Sequence, residues 1–169
     1  MDVTQQAGEI DTLRIYGFSF DFPASHRLEF DPKFTREEGS LAIKSPSKHV
    51  VFVSWGDLRK IVNKLPTSAE HSKFSRERAA RRTRGKMNLL EQREAKVNGH
   101  PAAYSRIQIE GPGGIMGSRR RTEEIESLHL HCDRTSHYFV IYTSSALAGP
   151  KEQEQSDTLW IVSNSFKCH

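Results

Sequence analysis

The sequence predicts one α+β domain in which helices pack on an antiparallel β-sheet. The chain has 169 residues, and 36% of them are apolar, which is enough for one sizeable core. Strand patterns come first, a helical segment follows, and a long run of strand patterns precedes a final helix. Strands and helices do not alternate as in a Rossmann-type domain, and no period of about 20 to 50 residues repeats. We expect residues 1–11 to form a polar, mobile tail and residues 12–169 to form the domain.

Four strands are predicted before the first helix, at residues 18–22, 28–30, 41–43 and 49–55. Phe18, Phe20 and Phe22 alternate with polar residues, as in a half-buried strand, and Pro23 ends that strand. The last two strands flank Ser45-Pro46-Ser47 and predict a hairpin. Because residues 50–53 are all apolar, we expect the fourth strand to be central and covered on both faces.

Three helices are predicted from capping residues and apolar spacing. Asp57 is a candidate N-cap for a first helix that Pro66 ends, with an apolar face formed by Leu58, Ile61, Val62 and Leu65. Thr67 and Glu70 have the spacing of a capping box, which predicts a second helix over residues 68–84 that stops at Gly85. A last helix opens at Gly149-Pro150 and should bury Leu159, Val162 and Phe166.

Four more strands are predicted between the second and the last helix. Asn98-Gly99 is a strong hairpin signal between strands at residues 88–97 and 102–110. Residues 111–114 read Gly-Pro-Gly-Gly and predict a mobile hairpin tip before a strand at residues 122–132. Residues 138–142 are apolar and aromatic, which predicts a second buried strand.

Three short motifs resemble those of the PsbP-like fold family, which includes a photosystem extrinsic protein, small bacterial lipoproteins and a Ran-binding nuclear import factor. They are the opening strand Phe18-Ser19-Phe20-Asp21-Phe22-Pro23, the hairpin Val97-Asn98-Gly99-His100-Pro101-Ala102 and the closing Ser165-Phe166-Lys167. The resemblance covers residues 15–167. It implies an antiparallel sheet with packed helices and a non-catalytic binding or assembly module, and it names no ligand.

Two basic clusters are the candidate contact residues for a macromolecular partner. Residues 73–86 hold seven bases and one acid, a local charge of +6: Lys73, Arg76, Arg78, Arg81, Arg82, Arg84 and Lys86 against Glu77. The second cluster is Arg119, Arg120 and Arg121. Such density is typical of a phosphate-binding surface, but it also fits an acidic protein partner or a solvated face that complements the helix dipole. Phe74 is the single aromatic ring among them, so base stacking is weakly indicated.

The sequence indicates neither a metal site nor a catalytic site. His129 and His131 share one face of a predicted strand, and Cys132 lies on the opposite face. Together with His137 and the terminal Cys168-His169 they match no zinc signature, so we expect surface histidines, no metal and no cofactor. The chain has no G-x-S-x-G motif, no phosphate-binding loop and no H-E-x-x-H motif, so we expect no enzyme.

These observations predict a non-catalytic module that docks on a larger macromolecular complex. The alternative is an RNA- or ribosome-associated protein that uses the basic clusters at residues 73–86 and 119–121. No apolar run approaches the roughly 18 residues of a membrane span, and the first residues lack the apolar core of a signal peptide. Two cysteines cannot build a disulfide framework, which favours a reducing, cytoplasmic setting. Nothing in the sequence indicates a small-molecule partner.

Overall fold

A seven-stranded antiparallel sheet with one helix on each face forms the body of the protein. The computed structural model describes residues 8–113, 119–146 and 152–169. The strands are β1 (Ile10–Ile15), β2 (Phe18–Pro23), β3 (Arg27–Phe30), β4 (Gly39–Lys44), β5 (Val50–Asp57), β6 (Lys86–Val97), β7 (His100–Gly113), β8 (Arg119–Cys132) and β9 (His137–Ala146). The helices are α1 (Ser68–Thr83) and α2 (Glu152–Ser165). The sheet order is β3-β4-β5-β9-β8-β7-β6, and β1 and β2 form a separate antiparallel pair. The predicted α+β class is therefore confirmed.

The hydrophobic core lies between the sheet and the layer formed by α2 and the β1–β2 pair. Phe166 is 1% exposed, and its ring lies 4.8 Å from that of Phe139 and 5.9 Å from that of Phe18, measured between centroids. Leu159 and Val162 of α2 are fully buried, as predicted. Strands β5 and β9 pair directly, so the two predicted central strands are neighbours.

Helix α1 packs on the opposite face of the sheet, mainly over β7 and β8. Its predicted capping box is present, because the Thr67 hydroxyl accepts from the Glu70 N–H and the Glu70 carboxylate accepts from the Thr67 N–H. Arg84 ends the helix with a left-handed φ of 50°. A Cβ atom on Gly85 would lie 2.5 Å from a methyl carbon of Ile109, so glycine is required for this close approach to β7.

The structure corrects the predicted helix at residues 58–65. Asp57 does act as an N-cap, since its carboxylate accepts from the Arg59 N–H, but only Leu58–Lys60 form a single 3₁₀ turn. Leu58 is buried, whereas Ile61, Val62 and Leu65 are only half-buried. A helix this short is stable only if its apolar face is fully buried. In this segment only the Leu58 side chain is buried in the core.

Three further boundaries and environments differ from the prediction. Ile10 and Asp11 belong to β1, so the ordered domain begins inside the segment predicted as a tail, of which residues 1–7 lie outside the described residues. Gly111–Gly113 of the predicted hairpin tip belong to β7 and pair with residues 119–121, while residues 114–118 also lie outside the described part. Strand β5 buries Val51, Val53 and Trp55 on the α2 side but only half-buries Phe52 and Ser54 on the α1 side.

In the described ranges, neither helix has the length and apolar character needed to cross a bilayer.

Candidate functional site

The exposed side of α1 and the chain just after it carries most of the predicted contact residues. Six of the seven bases in residues 73–86 are exposed, and we call them the basic surface: Lys73, Arg78, Arg81, Arg82, Arg84 and Lys86. Arg76 is the exception, because it faces the sheet and is only 8% exposed. Its guanidinium donates to Ser72 Oγ at 3.0 Å and to Gln92 Oε1 at 3.1 Å. The predicted contact role of Arg76 is therefore replaced by a structural one.

The charges of the basic surface are not neutralised within the described part of the chain. None of the six side chains belongs to any ion pair found there, although seven such pairs occur elsewhere. Arg81 and Arg82 lie in the last turn of α1, where positive charge complements the helix dipole. That effect accounts for two of the six charges, whereas like charges at helical spacing repel one another. The surface is therefore electrostatically suited to an acidic or phosphate-bearing partner.

The fold brings the second basic cluster towards the end of α1. Arg121 is exposed and pairs in register with Gly111 of β7. A Cβ atom on Gly111 would lie 3.2 Å from the carbonyl oxygen of Thr83, the last residue of α1. Arg121 thus stands one strand away from the C-terminal end of the helix. The side chains of Arg119 and Arg120 lie outside the described residues.

A groove runs between α1 and the part of the sheet that the helix leaves uncovered. We call it the α1 groove. Its volume is about 490 Å³. Arg78 and Arg82 line it from the helix side, and Val140 and Tyr142 line it from β9. Tyr142 is half-buried and stacks on Phe52, with ring centroids 5.0 Å apart. The groove therefore combines an aromatic and aliphatic wall with cationic residues on its helical side.

Three histidines meet between α1 and the sheet, which corrects the prediction that His129 and His131 are surface residues. His129 is 1% exposed, and its ring centroid is 4.8 Å from that of His71 in the helix. His71 Nδ1 and His131 Nε2 are 3.2 Å apart and share a hydrogen bond. His71 also meets the Tyr138 ring edge-on at 4.9 Å. The predicted shared face of the two strand histidines is correct, but α1 covers that face.

Burial keeps the three imidazoles neutral at neutral pH. Burial, followed by the nearby His131, lowers the pKa of His71 to about 4. Burial lowers the pKa of His129 well below its ordinary value, with smaller contributions from His71 and Arg76. Burial also lowers the pKa of His131. Within the described residues, neither ring nitrogen of His129 has a hydrogen-bond partner, so this groove-lining ring has one free donor and one free acceptor.

The hydroxyl groups around these histidines bond to one another rather than to the rings. Ser105 Oγ on β7 is 3.3 Å from Ser72 Oγ of α1 and 3.1 Å from Ser127 Oγ on β8. Activating a nucleophile requires a hydroxyl or thiol hydrogen-bonded to a base. No hydroxyl among the described residues of the α1 groove makes such a bond to a histidine.

The two cysteines occupy the other face of the sheet, at its end. Cys132 and Cys168 are fully buried and form a disulfide, with Cα atoms 6.6 Å apart. The C-terminal segment returns to the end of β8, and this return brings the two cysteines together. Because they form a disulfide, their small number no longer favours a reducing setting. The imidazoles of His100 and His169 lie beside the two sulfur atoms. His137 is not part of this group, since its ring contacts the carbonyl oxygens of Thr135 and Arg36.

Two solved structures share this architecture over nearly the whole chain. No family model matches the chain, and no curated protein matches it in sequence. Cyanobacterial PsbP (CyanoP) from Synechocystis sp. PCC 6803 superposes with a TM-score of 0.60 at 9% identity, covering 100% of this chain and 98% of that one. The Ran-binding protein Mog1p of Saccharomyces cerevisiae superposes with a TM-score of 0.61, also at 9% identity, covering 96% of each chain. The chain has the PsbP-like fold. The resemblance predicted from the three sequence motifs is confirmed at the level of the fold.

Proposed function

We propose that the chain is a non-catalytic binding module that docks on a larger macromolecular complex through the basic surface and the α1 groove. The observation that carries this proposal is the set of six exposed bases, which form no ion pair with any described residue and lie beside an open groove. The absence of a hydroxyl–histidine hydrogen bond among the described groove residues supports a binding role. The fold is compatible with this role, because Mog1p is itself named a Ran-binding protein.

The chemistry of the surface favours a protein complex with an acidic patch around an apolar anchor. Protein interfaces commonly have an apolar centre and a polar rim. Here Val140 and Tyr142 would receive the anchor, while Arg78 and Arg82 would meet carboxylates at the rim. A partner's carboxylates would also relieve the mutual repulsion of the basic surface. The cytoplasmic location stays a prediction.

The test is capture of partners from a lysate of the source organism, with and without nuclease. Three forms of the full chain are compared: wild type, a variant with Arg81→Gln, Arg82→Gln and Arg84→Gln, and a control with Arg14→Gln, Lys33→Gln and Arg36→Gln. All six replaced side chains are exposed, so both variants lose the same charge. We expect the wild type and the control to retain the same partner after nuclease treatment, and the first variant to lose it.

Two results would contradict this proposal. Equal loss in both triple variants would show that only net charge matters, not the position of the basic surface. If the variant with Arg81→Gln, Arg82→Gln and Arg84→Gln retains the partner, the contact lies elsewhere on the chain.

A second candidate function is contact with RNA phosphates. The position of Arg121 favours it, because this residue pairs with Gly111, which lies against the last residue of α1, although the two basic clusters are distant in sequence. Phosphate neutralisation releases counterions, so affinity should fall with a log–log slope of about −0.7 per single-strand contact. Four to six contacts predict a loss of roughly 50- to 300-fold between about 50 and 200 mM salt.

Fluorescence anisotropy on mixed-sequence RNA tests the second candidate directly. Phosphate contacts carry no base identity. The variant with Arg81→Gln, Arg82→Gln and Arg84→Gln should therefore bind all RNA sequences more weakly, and to the same extent. Losing three contacts should reduce the salt slope by about 2, while the control variant keeps it. A wild-type affinity no tighter than about 100 μM at low salt is only ordinary non-specific attraction, and it would remove RNA from consideration.

A further inference from the structure

Beyond the proposed binding role, the end of the sheet away from the α1 groove holds a cluster with the composition of a metal site. His100, Cys132, Cys168 and His169 each place one ligand atom within 4.8 Å of all the others. Two thiolates and two imidazoles form a common ligand set for tetrahedral zinc. The described residues contain no other group of three or more such ligands that converges in this way.

Local structure positions the strand ligands. Asn98 and Gly99 have φ values of 50° and 78°, the left-handed pair of a tight hairpin turn, so β7 begins at His100. Strand β8 ends at Cys132. Continuing the β7–β8 register by two residues beyond Ala102–Leu130 sets His100 directly opposite Cys132. These two ligands are therefore fixed by the sheet itself.

The C-terminal segment supplies the other two ligands. After α2, Lys167 forms an antiparallel bridge with Ser19 of β2, with both backbone hydrogen bonds at 2.8 Å. This bridge holds the chain against the core and directs Cys168 inward, where it is fully buried. His169 follows at the surface and closes the cluster towards solvent, so an ion could enter from that side.

Three of the sulfur-to-nitrogen separations in the cluster are close to the edges of a zinc-centred tetrahedron. Zinc–sulfur bonds near 2.3 Å and zinc–nitrogen bonds near 2.0–2.1 Å give a sulfur-to-nitrogen edge of about 3.6 Å. Cys168 Sγ lies 3.4 Å from His169 Nδ1. Cys132 Sγ lies 3.9 Å from His169 Nδ1 and 3.9 Å from His100 Nε2. A small adjustment of side chains brings all three edges to the tetrahedral value.

We propose that the reduced protein binds one Zn²⁺ ion through His100 Nε2, His169 Nδ1 and the thiolates of Cys132 and Cys168. The disulfide and the zinc site are alternative states of the same two sulfur atoms. A dithiol reductant converts the disulfide into two cysteine thiols and is itself oxidised to a disulfide. Zn²⁺ then displaces the two thiol protons and forms two zinc–sulfur bonds, while the neutral imidazoles bind without losing a proton.

A neighbouring side chain supports the thiolate state. The Asn98 amide nitrogen lies 4.0 Å from Cys168 Sγ and donates to it. Hydrogen bonds to ligand atoms from outside the coordination sphere orient the ligands and tune the site. The Asn-Gly turn thus contributes both the position of His100 and a donor to Cys168.

The test is metal binding by the reduced full chain, purified without a histidine tag. The protein is reduced with a phosphine in denaturant, because a dithiol would itself bind zinc. It is then refolded without oxygen, and two free thiols per chain are verified. We expect one zinc per chain, a higher melting temperature with zinc, and, with Co²⁺ as the probe, the visible absorption bands of tetrahedral cobalt–thiolate coordination.

Variants decide whether the ion occupies the proposed site. His169→Ala removes an exposed terminal side chain and should leave the fold intact, while Cys168→Ser removes a thiolate. Each should weaken Zn²⁺ affinity by more than the roughly 10- to 100-fold that changes outside the coordination sphere cost. His129→Leu is the control, because it alters the other histidine cluster.

Three results would overturn the proposal. The first is that the reduced wild type, at micromolar protein concentration, does not bind one zinc per chain. The second is that zinc binding is unchanged in both His169→Ala and Cys168→Ser. The third is that zinc binding is lost in His129→Leu, which would assign the ion to the histidines between α1 and the sheet.

Discussion

The two faces of the central sheet are built from different chemistry, although each is covered by one helix of similar length. On the α2 face, Phe18, Phe20, Phe139 and Phe166 form a continuous aromatic cluster with ring centroids 4.8–6.5 Å apart. On the α1 face, the buried residues that the helix contributes are polar or charged: Ser68, His71, Ser72 and Arg76. The α2 face therefore provides most of the hydrophobic stabilisation.

This difference indicates a division of roles within one domain. Buried imidazoles and an arginine cost stability unless they are fully hydrogen-bonded, and His129 lacks partners among the described residues. Local departures from an apolar core are expected at functional sites. We infer that the α2 face maintains the fold and that the α1 face is adapted to binding.

The largest expected effect is the loss of core packing at Phe166. Phe166→Ala should lower the free energy of unfolding by about 3–5 kcal/mol, because it leaves a cavity among three packed aromatic rings. Phe74→Ala on α1 is the matched control, since Phe74 is 41% exposed and should lose less than about 0.5 kcal/mol. Denaturant unfolding measures both. A loss below about 1 kcal/mol for Phe166→Ala would contradict the role assigned to the α2 face.

The second effect is a loss of stability at mildly acidic pH that originates beneath α1. The pKa of His71 is about 4 in the folded protein and near 6.5 when unfolded, so the unfolded state binds more protons as pH falls through this window. From about pH 7 to pH 5, His71 alone should lower the free energy of unfolding by about 2 kcal/mol. His129 and His131 act in the same direction. Unfolding at the two pH values, with His71→Gln as the comparison, checks this, and a stability that does not change with pH would contradict it.

A smaller effect of opposite sign is expected at His129. Replacing a buried polar group that lacks partners with an apolar group of similar size is neutral or stabilising. His129→Leu should therefore change the free energy of unfolding by between zero and about +1 kcal/mol at neutral pH, and it should flatten the pH dependence. Thermal or denaturant unfolding measures the change. A loss above about 2 kcal/mol would show that the ring nitrogens are satisfied in solution.

The smallest effect on stability is expected at the basic surface. The variant with Arg81→Gln, Arg82→Gln and Arg84→Gln should keep its free energy of unfolding within about 0.5 kcal/mol of wild type, because all three side chains are exposed. Unfolding in denaturant provides the value. A larger loss would mean that these arginines support the fold. A loss of binding by this variant could then come from unfolding instead of from the missing charges.

Local signals in the sequence were enough for much of the fold, whereas the candidate site depended on tertiary contacts. The predictions of the Asn98-Gly99 turn and of the Thr67–Glu70 capping box are confirmed, because each motif acts within a few residues. The predicted helix after Asp57 is wrong, because apolar spacing does not reveal whether the core has room for that face. The predicted face of His129 on β8 is correct, but its burial depends on α1, about 50 residues earlier in the chain. A polar stripe on α1, formed by Ser68, His71, Ser72 and Arg76, was the available signal.

The return of the chain end to β8 was likewise invisible in the sequence. Cys132 and Cys168 are 36 positions apart, and only the packing of α2 and the bridge between Lys167 and Ser19 bring them together. The approach of Arg121 to the end of α1 depends in the same way on the β7–β8 register. Spacing along the sequence gives neither distance.

Hydrogen exchange of the chain, free and in its captured complex, tests the division of roles most directly. We expect slower amide exchange in α1 and in residues 86–90 when the partner is bound, with α2 and the β1–β2 pair unchanged. Docking through the basic surface would restrict local opening of α1 but leave the α2 face as it is. Protection confined to α2 or to the β1–β2 pair, with α1 unaffected, would contradict the account.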